Sequence, residues 1–335
     1  MKKLLTFLWK VKFFSTLMWS PQMFSSLFMF LTMISSLSIL SSTNWIIMWI
    51  LLEINMISFI PLLNMSNSQN DTPIKYFLPQ AVGSMFILLG GVASSSFNPQ
   101  IFIMLGIFMK LAVVPFHQWF PSVMNSSNWL LCFMLSFWQK LAPLFMLFSL
   151  SLTNKISSIP MLTIALSSAL FGALMGMTQT QMRSIMAFSS ISHNGWIISA
   201  LMVSLTASMS YFLMYGLLIL ILFPMLHKLS INNIKQLKMF PLLSILPTSL
   251  AILSIAGMPP LLGFFPKIMA LTAMVNNQMW LTSFILILSS LLSLFFYMNA
   301  SVPQLANSSV INKSYNQSWL MILPSIMPLS LMFTL

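Results

Sequence analysis

The stretch Phe108–Pro121, FMKLAVVPFHQWFP, decides how this chain folds, because it interrupts an apolar segment of membrane length. Lys110 lies near the middle of that segment, where a lysine costs about 2.5–3.5 kcal/mol on insertion scales. Pro115 follows, and a proline removes a backbone hydrogen bond that lipid cannot replace. Together the two residues predict a broken helix that lines a polar path. The alternative is a structural, proline-kinked helix whose lysine extends towards the lipid headgroups.

The composition around this stretch is that of an all-α polytopic membrane protein. The 335 residues are 58% hydrophobic and only 5% charged, and the mean hydropathy is +0.94. Such a chain supplies many of the roughly 20-residue apolar segments that spanning helices need. The net charge of +12 is spread over short loops and apolar segments. It therefore indicates membrane topology rather than nucleic-acid binding.

The sequence offers no means of holding a redox cofactor or a metal. Cys132 is the single cysteine, so the chain can build neither an internal disulfide nor a zinc or iron–sulfur site from cysteines. The glycine-rich motifs GxGxxG and GxxxxGK[ST] are absent from the sequence. We therefore expect no cofactor and no metal in this chain.

Hydropathy predicts eleven membrane spans joined by short loops. The segment Gly257–Lys267, GMPPLLGFFPK, interrupts the ninth, which is read as one long broken helix because neither half reaches full span length. The predicted spans are residues 23–41, 45–63, 75–94, 99–119, 128–149, 159–178, 184–203, 207–226, 243–275, 280–299 and 317–335.

Loop charges test this topology. Only Lys155 falls on the side opposite the N-terminus, and Lys110, Lys140 and Lys267 fall within spans. The other cations fall on the N-terminal side: Lys2, Lys3, Lys10, Lys12, Lys75, Arg183, Lys228, Lys235, Lys238 and Lys313. Such asymmetry is typical of the positive-inside rule, and one span more or fewer would largely abolish it.

The spans fall into two groups of five, residues 23–149 and 159–299, and the fourth member of each is broken by proline. An odd number of spans per group predicts two inverted repeats, with the broken helices at the transport site. The span 317–335 follows as a C-terminal helix. Residues 1–22 form a basic N-terminal extension, which is either an interfacial segment, a targeting peptide or a disordered tail.

Buried charges are the candidate functional residues. Of the two carboxylates, Asp71 lies in a polar loop, whereas Glu53 lies at the centre of the second span. A lone membrane carboxylate pairs with a cation or titrates, and Lys110 is the first choice of partner. Burial favours the neutral form of a lysine and a nearby carboxylate favours the charged form. Glu53, Lys110, Lys140 and Lys267 therefore form a plausible proton relay, with a purely structural ion pair as the alternative.

Histidines extend this set. His193 follows Ser189 and Ser190 by one helical turn, so a histidine among hydroxyls is predicted either to pass protons or to serve as a hydrogen-bonded structural residue. His117 lies beyond Pro115 and is assigned to an inlet route, and His227, beside Lys228, is assigned to the interface.

Four blocks of sequence resemble one known family. They are Trp49–Leu63, Phe108–Pro121, Ser189–Trp196 (SSISHNGW) and Gly257–Lys267. In this order they resemble the antiporter-like, proton-pumping subunits of mitochondrial NADH–ubiquinone oxidoreductase, respiratory complex I. The similarity runs from about residue 23 almost to the C-terminus and leaves the N-terminal extension outside.

The resemblance implies a multi-pass subunit of the mitochondrial inner membrane. With that location, the loop charges predict an N-terminus in the matrix and a C-terminus in the intermembrane space. It implies Glu53 and Lys110 as a coupled pair, Lys140 as a central bridging lysine and Lys267 as the outlet lysine. His193 matches a histidine of less settled role. NADH, FMN, iron–sulfur clusters and ubiquinone are expected on other subunits. The implied partners are other membrane-arm subunits, including neighbouring antiporter-like chains and accessory subunits, together with lipids.

Two rival functions remain open at this stage. A stand-alone cation/proton antiporter would use the same four charged residues. A structural scaffold would carry those charges as relics, so that their removal would affect assembly alone.

Overall fold

The computed structural model describes residues 21–66, 71–92, 99–152, 158–239 and 242–306. This part of the chain is helical and holds no β-strand, apart from an isolated bridge between Gln181 and Asn233. The helices are α1 (Pro21–Ser41), α2 (Trp45–Ser66), α3 (Thr72–Val92), α4 (Pro99–Leu111), α5 (Trp119–Ser126), α6 (Trp129–Leu152), α7 (Ser158–Met177), α8 (Met182–Leu201), α9 (Leu205–Lys228), α10 (Leu242–Ala256), α11 (Phe264–Asn276) and α12 (Trp280–Ala306). The predicted all-α class is confirmed.

Within the described residues, seven helices are long and apolar enough to cross a membrane, namely α1, α2, α3, α6, α7, α9 and α12. The apolar helices α4, α10 and α11 are shorter. The predicted span 317–335 and residues 1–20 lie outside the described part of the chain. The total of eleven spans and the division into two five-span groups therefore stay predictions.

Both predicted breaks are present. The first separates α4, which ends at Leu111, from α5, which begins at Trp119. The second separates α10, which ends at Ala256, from α11, which begins at Phe264. The two breaks are equally long, residues 112–118 and 257–263, and each contains proline, which cannot donate a backbone hydrogen bond.

The two broken helices end in the same cap. At the end of α4, Ala112 N–H donates to Met109 O over 3.2 Å and Val113 N–H donates to Phe108 O over 3.1 Å. Ala112 has φ 55°, the left-handed conformation that this Schellman cap requires. The cap leaves the carbonyl of Leu111 free of intrahelical bonds and available to a side chain.

The end of α10 repeats this geometry. Gly257 N–H donates to Ser254 O over 3.0 Å, and Met258 N–H donates to Leu253 O over 3.4 Å. Gly257 has φ 79°, where glycine avoids the steric cost of a Cβ atom. The carbonyl of Ala256, at the end of α10, is therefore equivalent to the carbonyl of Leu111 at the end of α4, and it is likewise free of intrahelical bonds.

Helix α8 lies at the centre of the bundle. It contacts α5, α7, α9, α11 and α12, and nearly all its side chains are buried. Helix α7 approaches it closely at Gly195, where a Cβ atom would lie 2.5 Å from the carbonyl oxygen of Ala165. Helix α8 is not among the seven helices that are both long and apolar enough to cross a membrane, because it carries serine, histidine and asparagine residues. A polar helix is thus enclosed by apolar ones.

Candidate functional site

Three lysines that the sequence singles out are buried. Lys110, Lys140 and Lys267 expose 6%, 2% and 6% of their surface. Lys110 is in the last turn of α4, Lys140 is in the middle of α6, and Lys267 is in the first turn of α11. Among the described residues, no carboxylate oxygen lies within 4.0 Å of a lysine, arginine or histidine nitrogen. The buried ammonium groups must therefore be stabilised by other groups.

Lys140 is held by α8. Its Nζ donates to the side-chain Oδ1 of Asn194 over 2.9 Å and to the main-chain oxygen of Ser190 over 3.2 Å. The same Nζ lies 5.2 Å from the ring centroid of Phe120 and 5.8 Å from that of Tyr215, within the range of cation–π attraction. Two acceptors and two aromatic faces thus surround the ammonium group.

A π-helical segment precedes this lysine. Residues Met134–Trp138 of α6 adopt the wider winding, and α-helical geometry resumes at Gln139. Such segments frequently occur at functional sites, because the extra residue redirects the side chains around it. Here the segment ends two residues before Lys140, which faces α8.

Asn194 links Lys140 to the first broken helix. Its Nδ2 donates to the carbonyl oxygen of Leu111, the last residue of α4, over 2.7 Å. The asparagine is fully buried, and its two hydrogen bonds join residues far apart in sequence. The side chain of Asn194 therefore connects Lys140 to the end of α4, the helix that carries Lys110.

Lys267 binds the end of the second broken helix directly. Its Nζ donates to the carbonyl oxygen of Ala256 over 2.7 Å and lies 5.8 Å from the ring centroid of Trp196. A Cβ atom on Gly257 would lie 2.8 Å from this Nζ, so only glycine leaves room for the lysine here. Lys267, which belongs to α11, thus bonds to the end of α10, the helix before it in the chain.

Helix ends supply the negative potential that carboxylates do not. The C-terminal end of a helix carries about half a negative elementary charge and attracts cations. Lys110 lies in the last turn of α4, Lys140 reaches the end of α4 through Asn194, and Lys267 bonds to the end of α10. All three lysines are therefore associated with the carbonyl end of a broken helix.

Glu53 and Lys110 interact at a distance. The half-buried Glu53 carboxylate acts on the Lys110 ammonium through Coulombic attraction, although it forms no ion pair within 4.0 Å. The stem of Lys110 packs near Gly83 of α3, where a Cβ atom would lie 3.3 Å from its Cγ. Among the described residues, no hydrogen bond is made by Lys110 Nζ, in contrast to the other two lysines. Glu53 and Lys110 therefore form no direct ion pair in this structure, and their coupling stays a prediction.

A polar bridge joins the helix of Glu53 to that of Lys140. Gln139 donates through Nε2 to Oδ1 of Asn55 over 3.1 Å, and its Oε1 lies 3.5 Å from the hydroxyl of Tyr76. Asn55 is two residues beyond Glu53, and Gln139 directly precedes Lys140. This bridge did not emerge from the sequence, because its members are far apart along the chain.

His193 is linked to Lys140 and to Lys267 through aromatic rings. The charges of both lysines act on its imidazole, whose Nδ1 is 3.0 Å from the hydroxyl of Tyr211. Ser189 and Ser190, which precede His193 by one helical turn, are buried with it in α8. Their hydroxyls donate to the carbonyl oxygens one turn back in α8.

Aromatic side chains surround the histidine. Its ring centroid lies 4.7 Å from that of Tyr215, and Tyr211 stacks on Trp196 with centroids 6.0 Å apart. Tyr215 and Trp196 are the same rings that face Lys140 and Lys267. No sequence signal distinguished these tyrosines, since aromatic residues are common throughout the chain.

The other two histidines differ in their surroundings. His117 lies in the first break, is buried and contacts the ring of Phe171 with centroids 4.6 Å apart. Its Nδ1 has no hydrogen-bond partner within the described residues. His227 is exposed in the last turn of α9, beside Lys228, where it was expected. In the part of the chain that the structure describes, His, Cys, Asp and Glu do not gather in groups of three or more.

Comparisons with known proteins found relatives in sequence and in structure. Residues 91–293 match the family model described as NADH:quinone oxidoreductase/Mrp antiporter, TM. The chain is 38% identical over 278 residues to NADH-ubiquinone oxidoreductase chain 2 of Lumbricus terrestris, a match that covers 79% of this chain and 82% of that protein.

Solved structures share the fold. A chain of respiratory complex I from Thermus thermophilus with bound aureothin matches with a TM-score of 0.80 and 21% identity, over 94% of this chain and 79% of that one. A chain of the Mrp complex from Dietzia sp. DQ12-45-1b matches with a TM-score of 0.74 and 16% identity, over 86% of this chain and 61% of that one.

Proposed function

This chain belongs to the family of NADH-ubiquinone oxidoreductase chain 2, and we propose that Lys110, Lys140 and Lys267 form its proton route. As a member of that family it is a proton-translocating membrane subunit of mitochondrial NADH:ubiquinone oxidoreductase, respiratory complex I. The observation that carries the proposed route is that Lys140 and Lys267 are buried and bonded to uncharged acceptors alone. A lysine in such surroundings can release its proton without breaking an ion pair.

The redox chemistry is expected on other subunits. The sequence has one cysteine and none of the dinucleotide motifs, so NADH, FMN, iron–sulfur clusters and ubiquinone would be held by partner chains. Those partners include neighbouring antiporter-like chains and accessory subunits of the membrane arm. This chain contributes titratable side chains and the polar interior that connects them.

The proposed cycle begins at Glu53. Quinone reduction elsewhere in the complex alters the attraction between Glu53 and Lys110, so that Lys110 holds its proton less tightly. The proton passes to Lys140 and then, by way of His193 and structured water, to Lys267. The Coulombic influence of both Lys140 and Lys267 on His193 supports its intermediate place in this order.

The energies are of compatible size. Moving one elementary charge across the membrane costs about 2.3 kcal/mol per 100 mV. A change of one unit in the acidity of a group corresponds to about 1.4 kcal/mol. Switching a single Coulombic interaction in a buried site can therefore drive a proton against the membrane potential.

We further propose two inverted five-helix repeats, residues 23–149 and 159–299, with a broken helix in each. The equal length of the two breaks and their identical caps support this relationship. The positive loop charges favour an N-terminus in the matrix and a C-terminus in the intermembrane space.

An exit for protons is supported by a polar cavity. A cavity of about 370 Å³ lies between the start of α9 and the C-terminal half of α11. Its polar residues include Ser204, Ser210, Thr272 and Asn276. Met269, which also lines it, is two residues beyond Lys267. In the proposed topology this cavity opens towards the intermembrane space, so it suits the last step of the route.

The test is the proton stoichiometry of an assembled complex that carries Lys110→Met. We expect fewer protons per NADH oxidised, because the variant lacks the first titratable group. Thr163→Ala, at an exposed position of α7, is the control and should retain the full ratio. An unchanged ratio in Lys110→Met would remove this lysine from the route.

The family relationship favours the complex I subunit over a stand-alone antiporter. Sodium-dependent proton flux by the isolated chain in liposomes would support the antiporter instead. The scaffold hypothesis predicts that removal of any one lysine changes the yield of assembled complex and leaves its stoichiometry intact.

A further inference from the structure

We propose that Asn194 is a positioning residue that couples the end of α4 to the charge state of Lys140. The inference rests on the proposed function, since it concerns the lysine assigned to the middle of the proton route. Asn194 reaches both groups with one amide, donating to Leu111 O over 2.7 Å and accepting from Lys140 Nζ over 2.9 Å. The sequence around Asn194, SSISHNGW, predicts neither of these two hydrogen bonds.

The two contacts fix the orientation of the amide. If the amide were reversed, Oδ1 would face the carbonyl oxygen of Leu111, and Nδ2 would face the Lys140 ammonium group. Each contact would then set two acceptors or two donors against each other. Because Asn194 is fully buried, water cannot relieve such a conflict. The amide must therefore present its oxygen to Lys140 for as long as Leu111 O remains in place.

This orientation favours the charged form of Lys140. Asn194 Oδ1 and Ser190 O are both acceptors, and an ammonium group offers a donor to each. A shift at the end of α4 that withdrew Leu111 O would release the amide and allow it to turn. The lysine would lose one of its two acceptors, and its proton would become easier to transfer.

The titratable groups around Lys140 leave this role to the amide. Helices α2 and α3 meet α6 at Gln139 and carry Glu53 and Tyr76, but neither side chain is hydrogen-bonded to Lys140. His193 of α8 and Tyr215 of α9 face it, and α4 contributes Lys110, one residue before the carbonyl that Asn194 binds. Phe120 of α5 offers only its ring. Helix α1, which packs on α6, has no titratable residue among its described side chains. Asn194 is thus the neutral group that can respond to α4 and act on Lys140 at once.

Two variants of nearly the same shape test the coupling in opposite directions. The assembled complex is reconstituted in liposomes, and protons moved per NADH oxidised are measured as a function of pH. In Asn194→Leu, which removes the acceptor, we expect the pH at which the ratio falls by half to decrease by about one to two units. In Asn194→Asp, which sets a carboxylate beside Lys140, we expect that pH to increase.

Controls separate this inference from the proton route itself. Ser199→Ala removes a buried hydroxyl of α8 that bonds only to its own helix, and it should leave the pH profile unchanged. Lys140→Met in the same series should lower the ratio at every pH. If Lys140→Met keeps the full ratio, the proposed route and this inference both fail.

The remaining outcomes concern Asn194 alone. If Lys140→Met lowers the ratio while both Asn194 variants keep the wild-type profile, or shift it in the same direction, the amide only fills space. If Asn194→Leu does not assemble, the direction of the shift in Asn194→Asp decides, because packing loss alone would not raise the pH of half-maximal pumping.

Discussion

Gly257 determines how closely Lys267 can approach the end of α10. A Cβ atom at this position would lie 2.8 Å from Nζ and 2.9 Å from both Cδ and Cε of the lysine. These atoms belong to a flexible side chain, so an added methyl group would displace the lysine rather than the backbone. The left-handed conformation of Gly257 also costs glycine less than it costs a residue with a Cβ atom.

We expect Gly257→Ala to assemble but to pump poorly. The backbone cost is about 1–2 kcal/mol, and Ala112 shows that alanine can occupy the same place in the cap of α4. Displacing Lys267 from Ala256 O removes a hydrogen bond to a charged group, which corresponds to about a tenfold effect or more on the proton step. Assembly is measured by the yield of complex, and pumping by protons per NADH.

The other cap provides a matched control. Ala112→Gly relaxes the backbone of α4 and alters no side chain that contacts a lysine. Its pumping ratio should equal that of the unmodified complex. If Gly257→Ala also retains the full ratio, the contact between Lys267 and Ala256 has no part in proton transfer.

Individual residues were predictable only where their presence is costly. A lysine, a carboxylate or a proline in an apolar span is conspicuous, so Glu53, Lys110, Lys140 and Lys267 could be selected from the sequence. Asn194 drew no separate attention, because an amide in a helix carries little energetic cost and its partner Leu111 accepts the bond only through a main-chain oxygen. The partner of His193 was missed because Tyr211 is on the next helix.

At the scale of elements, the contact between α7 and α8 depends on two glycines. A Cβ atom on Gly195 would lie 2.5 Å from Ala165 O and 2.7 Å from Ala169 N, and one on Gly172 would lie 2.7 Å from Ser192 N. The atoms that these two Cβ atoms would meet belong mostly to the backbone, so they cannot rotate away. The two helices would have to separate to admit a methyl group.

We therefore expect Gly195→Ala to destabilise the bundle by about 1–3 kcal/mol, the usual cost of overpacking. The yield of assembled complex and its thermal inactivation would report the loss. Gly91→Ala is the control, since a Cβ atom there has Trp45 Cβ, at 3.8 Å, as its nearest neighbour. Equal stability of the two variants would mean that α7 and α8 pack more loosely than these distances indicate.

The sequence predicted where helices begin and end better than it predicted the winding within them. Apolar segments bounded by polar loops predicted most helix positions to within a few residues, and prolines predicted both breaks. The π-helical segment Met134–Trp138 was not predicted, because its sequence is as apolar as the helix around it. Its winding depends on packing against neighbouring helices, which the local sequence pattern does not predict.

At the scale of the whole molecule, the proposed topology places successive loops on opposite sides of the membrane. Thr43 lies between α1 and α2, and Lys75 lies in the first turn of α3; both are exposed. The single native cysteine, Cys132, is buried and should not react with a polar reagent. Single introduced cysteines can therefore report sidedness.

We expect Lys75→Cys to react with a membrane-impermeant maleimide added from the matrix side, and Thr43→Cys to react from the intermembrane space. Intact mitochondria stripped of their outer membrane and inside-out vesicles supply the two orientations. The unmodified chain measures background labelling. Reversed labelling would invert the topology, and labelling of both positions from one side would change the number of spans between them.

The enclosure of α8 by apolar helices has a consequence for biogenesis. A segment with several serines, a histidine, an asparagine and an arginine partitions into lipid less readily than its neighbours when it leaves the insertion machinery. Its backbone satisfies itself as a helix, but its polar side chains need partners on other parts of the chain, which include α4, α5, α6 and α9. We infer that the nascent Met182–Leu201 segment is retained beside the insertase until α9 has been synthesised. Nascent chains truncated before Leu205 should then crosslink to the insertase for longer than chains that extend beyond Lys228.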